Sequence, residues 1–236
     1  MPSPVRLAAL ALVLGACAPS DDAVEAPPAA AAPAERGDWP AGTVLAVDDV
    51  PILAGEVDAA TVAVQRIERR AVDAQLRRLA LTNIVLPRLL TRLMAEDGAR
   101  DAALAEAREA LAALRAGEWF GLPVDGRYGE LYSGNFNRLG LELWSVGQDL
   151  AEGEWCEPIE QDGQFLIARR LELRPSPVPI GAEVDLDVLA FPFVDQTNYA
   201  LELEAAYDRH QLTVVDPAWR ALVPELLLYR MGGSKP

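Results

Sequence analysis

The sequence has very few of the side chains that enzymes use for covalent or metal-assisted chemistry. Its 236 residues include one histidine and two cysteines. These cannot build a closed zinc site of the usual kind, and they leave little for a Cys–His or Ser–His–Asp nucleophile system. No Gly-rich phosphate loop, nucleotide fingerprint or haem signature is present. We therefore expect no cofactor and no metal.

Positive charge is also scarce. Lys and Arg total 21 against 36 Asp and Glu, which gives a formal net charge of −15. Phosphate contacts need a cationic surface, so this balance argues against nucleic acid as a partner. Hydrophobic residues make up 51% of the chain, which is enough for a packed core.

The only long apolar run lies at the start, where residues 1–17 read MPSPVRLAALALVLGAC. Arg6 followed by a short apolar stretch is typical of a signal peptide, and the stretch is too short to span a bilayer as a helix. Residues 14–17 (LGAC) resemble a bacterial lipobox. That resemblance implies that Cys17 is lipidated and becomes the first mature residue. The alternative is a plain secretory peptide with a chance cysteine.

Residues 18–40 are rich in Ala and Pro and show no helical or strand period. We interpret them as a disordered tether between a lipid anchor and the folded body. By resemblance to enterobacterial sorting, Ala18 and Pro19 favour the outer membrane, with the body facing the periplasm. Lipidation of Cys17 leaves Cys156 alone, and flanking Glu154 and Glu157 disfavour a reactive thiolate there.

The remaining chain predicts an α+β fold. The pattern favours short strands at 43–47 and 50–53, one helical stretch from Asp58 to about Glu96 that kinks or restarts at Pro87, and a helix over 99–116. Residues 121–140 are expected to form a loop and 141–150 a short helix. Later elements are expected as strands at 164–173, 184–194 and 212–215, a helix capped by Asp195, and a terminal helix from Asp216-Pro217 to about Met231.

The order of these elements resembles a chaperone family. Residues 43–60 (TVLAVDDVPILAGEVDAA) resemble the opening of SurA/PrsA-type periplasmic chaperones. Residues 107–120 (AREALAALRAGEWF), 150–159 and 163–172 (GQFLIARRLE) resemble parts of a parvulin-type peptidyl-prolyl isomerase domain. The resemblance implies a helical region at 41–98, a parvulin-like domain with a small mixed sheet at 99–174, and a segment at 175–236 that completes the fold.

The match to parvulins lacks the family's catalytic histidines. The position that corresponds to the second histidine is Phe165, and no strand for the first fits before the 99–116 helix. Residues 184–193 are a candidate replacement for that missing first strand, in a permuted sheet. Four aromatic residues are candidates for an apolar peptide pocket, although core packing would also explain them: Phe120, Phe136, Trp144 and Phe165.

Three functions follow from this reading. The first is a lipid-anchored, periplasmic parvulin-like protein that binds unfolded or extended polypeptide clients and assists envelope protein folding or assembly. The second is an active peptidyl-prolyl isomerase with a histidine-poor site, because an apolar pocket alone can assist amide rotation. The third is an accessory lipoprotein subunit of an envelope complex. We favour the first, with little or no isomerase activity.

Overall fold

Two small antiparallel sheets and eight α-helices make up the part of the chain that the computed structural model describes, residues 39–119 and 126–232. The strands are β1 Thr43–Val47, β2 Val50–Leu53, β3 Glu130–Gly134, β4 Ile159–Gln161, β5 Gln164–Arg174, β6 Glu183–Pro192 and β7 Leu212–Val214. The helices are α1 Ala54–Ile67, α2 Asp73–Ala80, α3 Leu86–Met94, α4 Ala99–Ala116, α5 Phe136–Leu139, α6 Leu141–Asp149, α7 Tyr199–Arg209 and α8 Glu225–Met231.

The first sheet has the strand order β2–β1–β7. Every residue of β1 is buried, as an apolar central strand requires. Its partner β7 comes from the far end of the chain, so the two ends of the described body meet in one sheet. Helices α1, α2, α3 and α7 cover this sheet, and their apolar faces join it in one core that includes Leu45, Leu81 and Leu90.

The helical stretch predicted over residues 58–96 is not one helix. It begins earlier, at Ala54, and is interrupted at residues 68–72. From α2 the chain continues through a π-helical turn, Leu81–Val85, into α3. Pro87 lies just after this π-helical turn, so the chain stays helical through the proline and changes its hydrogen-bond pattern just before it.

The second sheet has the strand order β3–β6–β5–β4, and all its pairings are antiparallel. The prediction of a mixed sheet is therefore wrong for the described strands. The connections explain the difference, because β4–β5 and β5–β6 are hairpin-like links and parallel pairing would need a longer crossover. Strand β6 lies at the centre, between β3 and β5.

Each face of this four-stranded sheet has its own core. Leu166, Val184 and Leu186 face α6, whereas Phe165, Ile167 and Phe191 face α4. The alternation along β5 produces this division, since successive side chains of a strand point to opposite faces. The helix-rich part is joined to the sheet by Glu160 of β4, which pairs with Arg92 and Arg100.

Three other local predictions need correction. Residues 121–140 are not one loop, because β3 and α5 lie within them. The short β3 carries no regular alternation of buried and exposed residues that would predict a strand. Asp195 does not cap α7, because its carboxylate accepts from the Thr197 backbone and α7 begins after Asn198. The terminal helix is divided at Pro224 into a 3₁₀ helix, Pro217–Leu222, and α8.

Candidate functional site

The aromatic residues expected to form one pocket are separated by the sheet. Phe136 and Trp144 lie edge to face with ring centroids 5.7 Å apart, on the α6 side. Phe165 lies on the α4 side against Phe193, with centroids 5.5 Å apart. Phe120 and the lipidation candidate Cys17 lie outside the described residues.

These aromatics are core residues. Trp144 is 1% exposed and Phe165 is 3% exposed, and the indole N–H of Trp144 donates to the Ala182 carbonyl at 2.9 Å. The guanidinium of Arg100 lies 5.4 Å from the Phe165 ring centroid and covers it. The prediction of an apolar pocket that joins Phe165 to Phe136 and Trp144 is therefore wrong, because β5 places Phe165 on the opposite face.

A more open site surrounds the turn between β4 and β5. Gln161 pairs with Gln164, which leaves Asp162 and Gly163 as a two-residue hairpin turn with φ values of 51° and 75°. Asp-Gly is a preferred sequence for such a turn because both positions need positive φ. A Cβ atom on Gly163 would lie 2.1 Å from Cγ2 of Val194, so the chain passes too close there for any side chain.

We call the depression beside this hairpin the turn cleft. It has a volume of about 670 Å³ and lies between β3, α5, the β4–β5 hairpin and the first turn of α7. Its lining residues come from four separate stretches of the chain: Tyr132, Asn137–Gly140, Gln161, Asp162, Gln164, Leu166 and Gln196–Leu201. Leu139 and Leu166 are buried beneath it, Leu201 provides exposed apolar surface, and several of the wall side chains are amides.

Part of the cleft wall is fixed by hydrogen bonds. The Gln161 amide accepts from the backbone N–H of Leu143 at 3.2 Å and donates to the Leu139 carbonyl at 3.0 Å. The hydroxyl of Tyr199 lies 2.9 Å from that of Thr91, which donates to the Pro87 carbonyl. These bonds hold one wall in place before any ligand binds.

Other polar side chains in the cleft have no hydrogen-bond partner in the part of the chain that the structure describes. Within residues 39–119 and 126–232, no hydrogen bond is formed by the side-chain amides of Asn137, Gln164 and Asn198 or by the hydroxyl of Tyr132. All four line the same cleft. They provide donors and acceptors, and neither a nucleophile nor a general base is among them.

Asp162 is the carboxylate of this cleft. Removal of water by the surrounding protein raises the pKa of Asp162, and the hydrogen bond from Gln161 only partly opposes this. Burial also raises the pKa of Tyr132 and Tyr199, and the charge of Asp162 raises both further. The three groups therefore share one local electrostatic environment.

Glu160, next along the chain, has a different role. Arg92 donates to both of its carboxylate oxygens at 2.7 and 2.8 Å, and Arg100 does so at 3.3 and 2.7 Å. Burial opposes ionisation of Glu160, but these hydrogen bonds outweigh it and lower its pKa. Because both oxygens of Glu160 accept hydrogen bonds from two arginines, this carboxylate joins α3 and α4 to β4 and is not available to a ligand.

A second depression, the helix groove, runs between the end of α3, the start of α4, the end of β6 and α7, with a volume of about 700 Å³. Leu93, Met94 and Phe193 line it. Its polar groups are largely paired. Glu202 binds Arg209 at 3.2 Å, and His210, the single histidine, lies 2.7 Å from Asp48.

Comparison with known proteins does not identify a family. The chain matches no family model, no curated protein and no solved structure. Among the described residues, no helix is both long and apolar enough to cross a membrane.

Sequence reasoning missed the residues of the turn cleft. The one local signal was Asp162-Gly163 between two β-prone runs, which predicts a hairpin. Distant segments of the chain bring together four other cleft residues, which are Tyr132, Asn137, Gln164 and Asn198. No short sequence motif predicts that these four lie close together.

Proposed function

We propose that this protein binds polypeptide segments in the turn cleft and assists protein folding or assembly without catalysing a reaction. The observation that carries the proposal is the set of unbonded polar groups in one cleft: Tyr132, Asn137, Gln164 and Asn198. Asn137 and Asn198 are exposed and Tyr132 and Gln164 are half-buried, so a ligand can form hydrogen bonds with all four side chains without breaking a hydrogen bond within the described protein.

The chemistry of this set suits a polypeptide main chain. Each residue of an extended segment presents one N–H donor and one carbonyl acceptor. An amide side chain offers both a donor and an acceptor, so Asn137, Gln164 and Asn198 can pair with either group. Leu201 lines the same cleft and is 72% exposed, so it can contact an apolar side chain of the same segment.

The helix groove fits this role less well. It is more apolar, but Glu202, Arg209 and His210 are already engaged in ion pairs or hydrogen bonds. A segment in that groove would have to compete with these contacts for its backbone hydrogen bonds. We therefore place the peptide site in the turn cleft.

The relation to parvulins remains part of the proposal. Strand β6 lies at the centre of the four-stranded sheet although it follows the other strands along the chain. This position supports the hypothesis that residues 184–193 replace the missing first strand of a degenerate parvulin domain in a SurA/PrsA-like chaperone. Phe165, where the family has a histidine, is buried in the core, which favours binding over isomerase activity.

We further propose that the body is tethered to the cell envelope, facing the periplasm and favouring the outer membrane. The support is the sequence alone: the LGAC motif that ends at Cys17 and the Ala/Pro-rich residues 18–40. A lipid anchor would leave the turn cleft free to meet unfolded segments in the envelope.

The proposal can be tested by titrating the purified protein into a fluorescently labelled, permanently unfolded client. Binding is measured as the increase in fluorescence anisotropy. Two free amides are removed in the double variant Gln164→Ala/Asn198→Ala. We expect binding to weaken by about thirtyfold, because each of the two hydrogen bonds contributes about 1 kcal/mol. Asn198 makes no side-chain capping bond, so its loss should leave α7 intact. The matched control is Gln75→Ala, an exposed amide on α2.

A prolyl-peptide turnover assay on the same protein separates binding from catalysis. We expect no turnover above the uncatalysed rate. Turnover that the double variant abolishes would contradict the proposal and establish an isomerase. If no unfolded client binds and one stoichiometric partner is captured instead, the protein is an accessory subunit of an envelope complex.

A further inference from the structure

Three side chains of the turn cleft form a group of their own. Tyr132 comes from β3, Asp162 from the β4–β5 turn and Tyr199 from the first turn of α7. All three line the cleft, and both phenols are half-buried. The charge of Asp162 raises the pKa of Tyr132 and of Tyr199, so it acts on both rings.

The negative charge of Asp162 has no basic partner among the described residues. Its carboxylate accepts one hydrogen bond, from Nε2 of Gln161 at 3.3 Å. Arg138 lines the same cleft but forms no ion pair within 4.0 Å with any described residue, and its side chain lies over Gly134. By contrast, neighbouring Glu160 is paired with two arginines.

Turn geometry alone does not account for a carboxylate at this place. Asp48, in the β1–β2 turn, has nearly the same φ, 50° against 51°. The Asp48 carboxylate stabilises the fold, because it accepts a hydrogen bond from the Gln211 backbone N–H at 2.8 Å and lies 2.7 Å from Nδ1 of His210. The Asp162 carboxylate accepts from no backbone group among the described residues, although Asn would satisfy the same turn equally well.

We propose that Tyr132, Asp162 and Tyr199 form a cation subsite that receives a lysine or arginine side chain of the bound segment. This inference rests on the proposed function. Aromatic ring faces attract a cation electrostatically, and the carboxylate of Asp162, which has no basic partner among the described residues, supplies the opposite charge. The client class is therefore a polypeptide segment with a basic residue, which also suits a chain of net charge −15.

Paired peptides test the subsite. The two members share a sequence and differ at one position, lysine in one and norleucine in the other, so that length and apolar character are kept. We expect the lysine peptide to bind about tenfold more tightly, with an advantage that shrinks as salt is added. In the Asp162→Asn variant, which keeps the turn and both rings, we expect most of this preference for lysine to be lost.

Asp49→Asn is the matched control. Asp49 is an exposed acid in the two-residue turn of the other sheet, and its replacement removes the same charge away from the cleft. We expect it to retain the preference for lysine. Tyr132→Phe should also retain the preference, because the ring remains, whereas Tyr132→Leu should reduce it.

The outcomes separate this inference from the proposed function. If both peptides bind equally to the unchanged protein and Asp162→Asn has no effect, the cation subsite is refuted while peptide binding stands. If neither peptide binds, the proposed function fails. If Asp49→Asn removes the preference as completely as Asp162→Asn does, net charge rather than a subsite explains it, and the inference is overturned.

Discussion

Nη2 of Arg169 donates to Oδ2 of Asp187 at 2.8 Å, across the two central strands of the four-stranded sheet. Asp187 is fully buried and also accepts from the backbone N–H groups of Tyr128 and Gly129, at 2.9 and 2.7 Å. The guanidinium lies 5.2 and 5.3 Å from the ring centroids of Tyr128 and Trp155. This pair fixes the chain before β3 onto β6.

Replacement of Asp187 by alanine should be strongly destabilising. It leaves the Arg169 charge without its counter-ion and two partly buried N–H groups without their acceptor. Breaking a buried pair in this way costs about 3–5 kcal/mol. Urea unfolding followed by tryptophan fluorescence measures the loss. The control is Asp185→Ala, a more exposed carboxylate on the same strand, and an equal loss in the two variants would contradict the special role of Asp187.

Glu160 should make the stability of the protein depend on pH. Its pKa is lower in the folded state than in the unfolded chain. The ionised carboxylate therefore stabilises the fold above the ordinary glutamate pKa of about 4.3, and this stabilisation is lost as the pH falls through the lowered pKa. We expect Glu160→Gln to reduce the free energy of unfolding by about 2 kcal/mol at pH 7, and by less below about pH 4.

The control for Glu160 is Glu157→Gln, which breaks an exposed pair with Arg115. Exposed pairs contribute little, so we expect a change of about 0.5 kcal/mol or less. A difference between wild type and Glu160→Gln that stays constant from pH 7 to pH 3 would show that the charge of Glu160 is not what joins α3 and α4 to β4.

Cys156 should be unreactive in the folded protein. Burial raises the pKa of its thiol to about 11, and the Ala168 N–H donates to its sulfur at 3.1 Å. At pH 8 about one thiol in a thousand is then ionised, and only the thiolate reacts. We expect iodoacetamide to modify a Cys17→Ser variant quickly in urea and very slowly without it. Rapid modification of the native protein would contradict this account.

Local patterns predicted much of the fold. The apolar runs at 43–47 and 164–173 are strands, and the helix over 99–116 is present. These elements depend on periodicity and turn chemistry within a few residues, which a single sequence displays directly.

What the sequence did not reveal depends on long-range packing. The central place of β6 requires a strand from late in the chain to enter between β3 and β5, and no local signal specifies that order. The expected aromatic pocket does not form, because side chains alternate between the two faces of β5 and Phe165 lies on the face opposite to Trp144. The free amides of the turn cleft come from separate segments and meet only in the folded protein.

The most direct test of the central claim is a nuclear magnetic resonance titration of the side-chain amide groups with an unfolded client peptide that carries a lysine. The resonances of Asn137, Gln164 and Asn198 are assigned by substitution, and Gln75 serves as an internal control. We predict that the three cleft amides shift together and saturate with one dissociation constant while Gln75 does not move. Binding that leaves the three cleft amides unchanged would contradict the account.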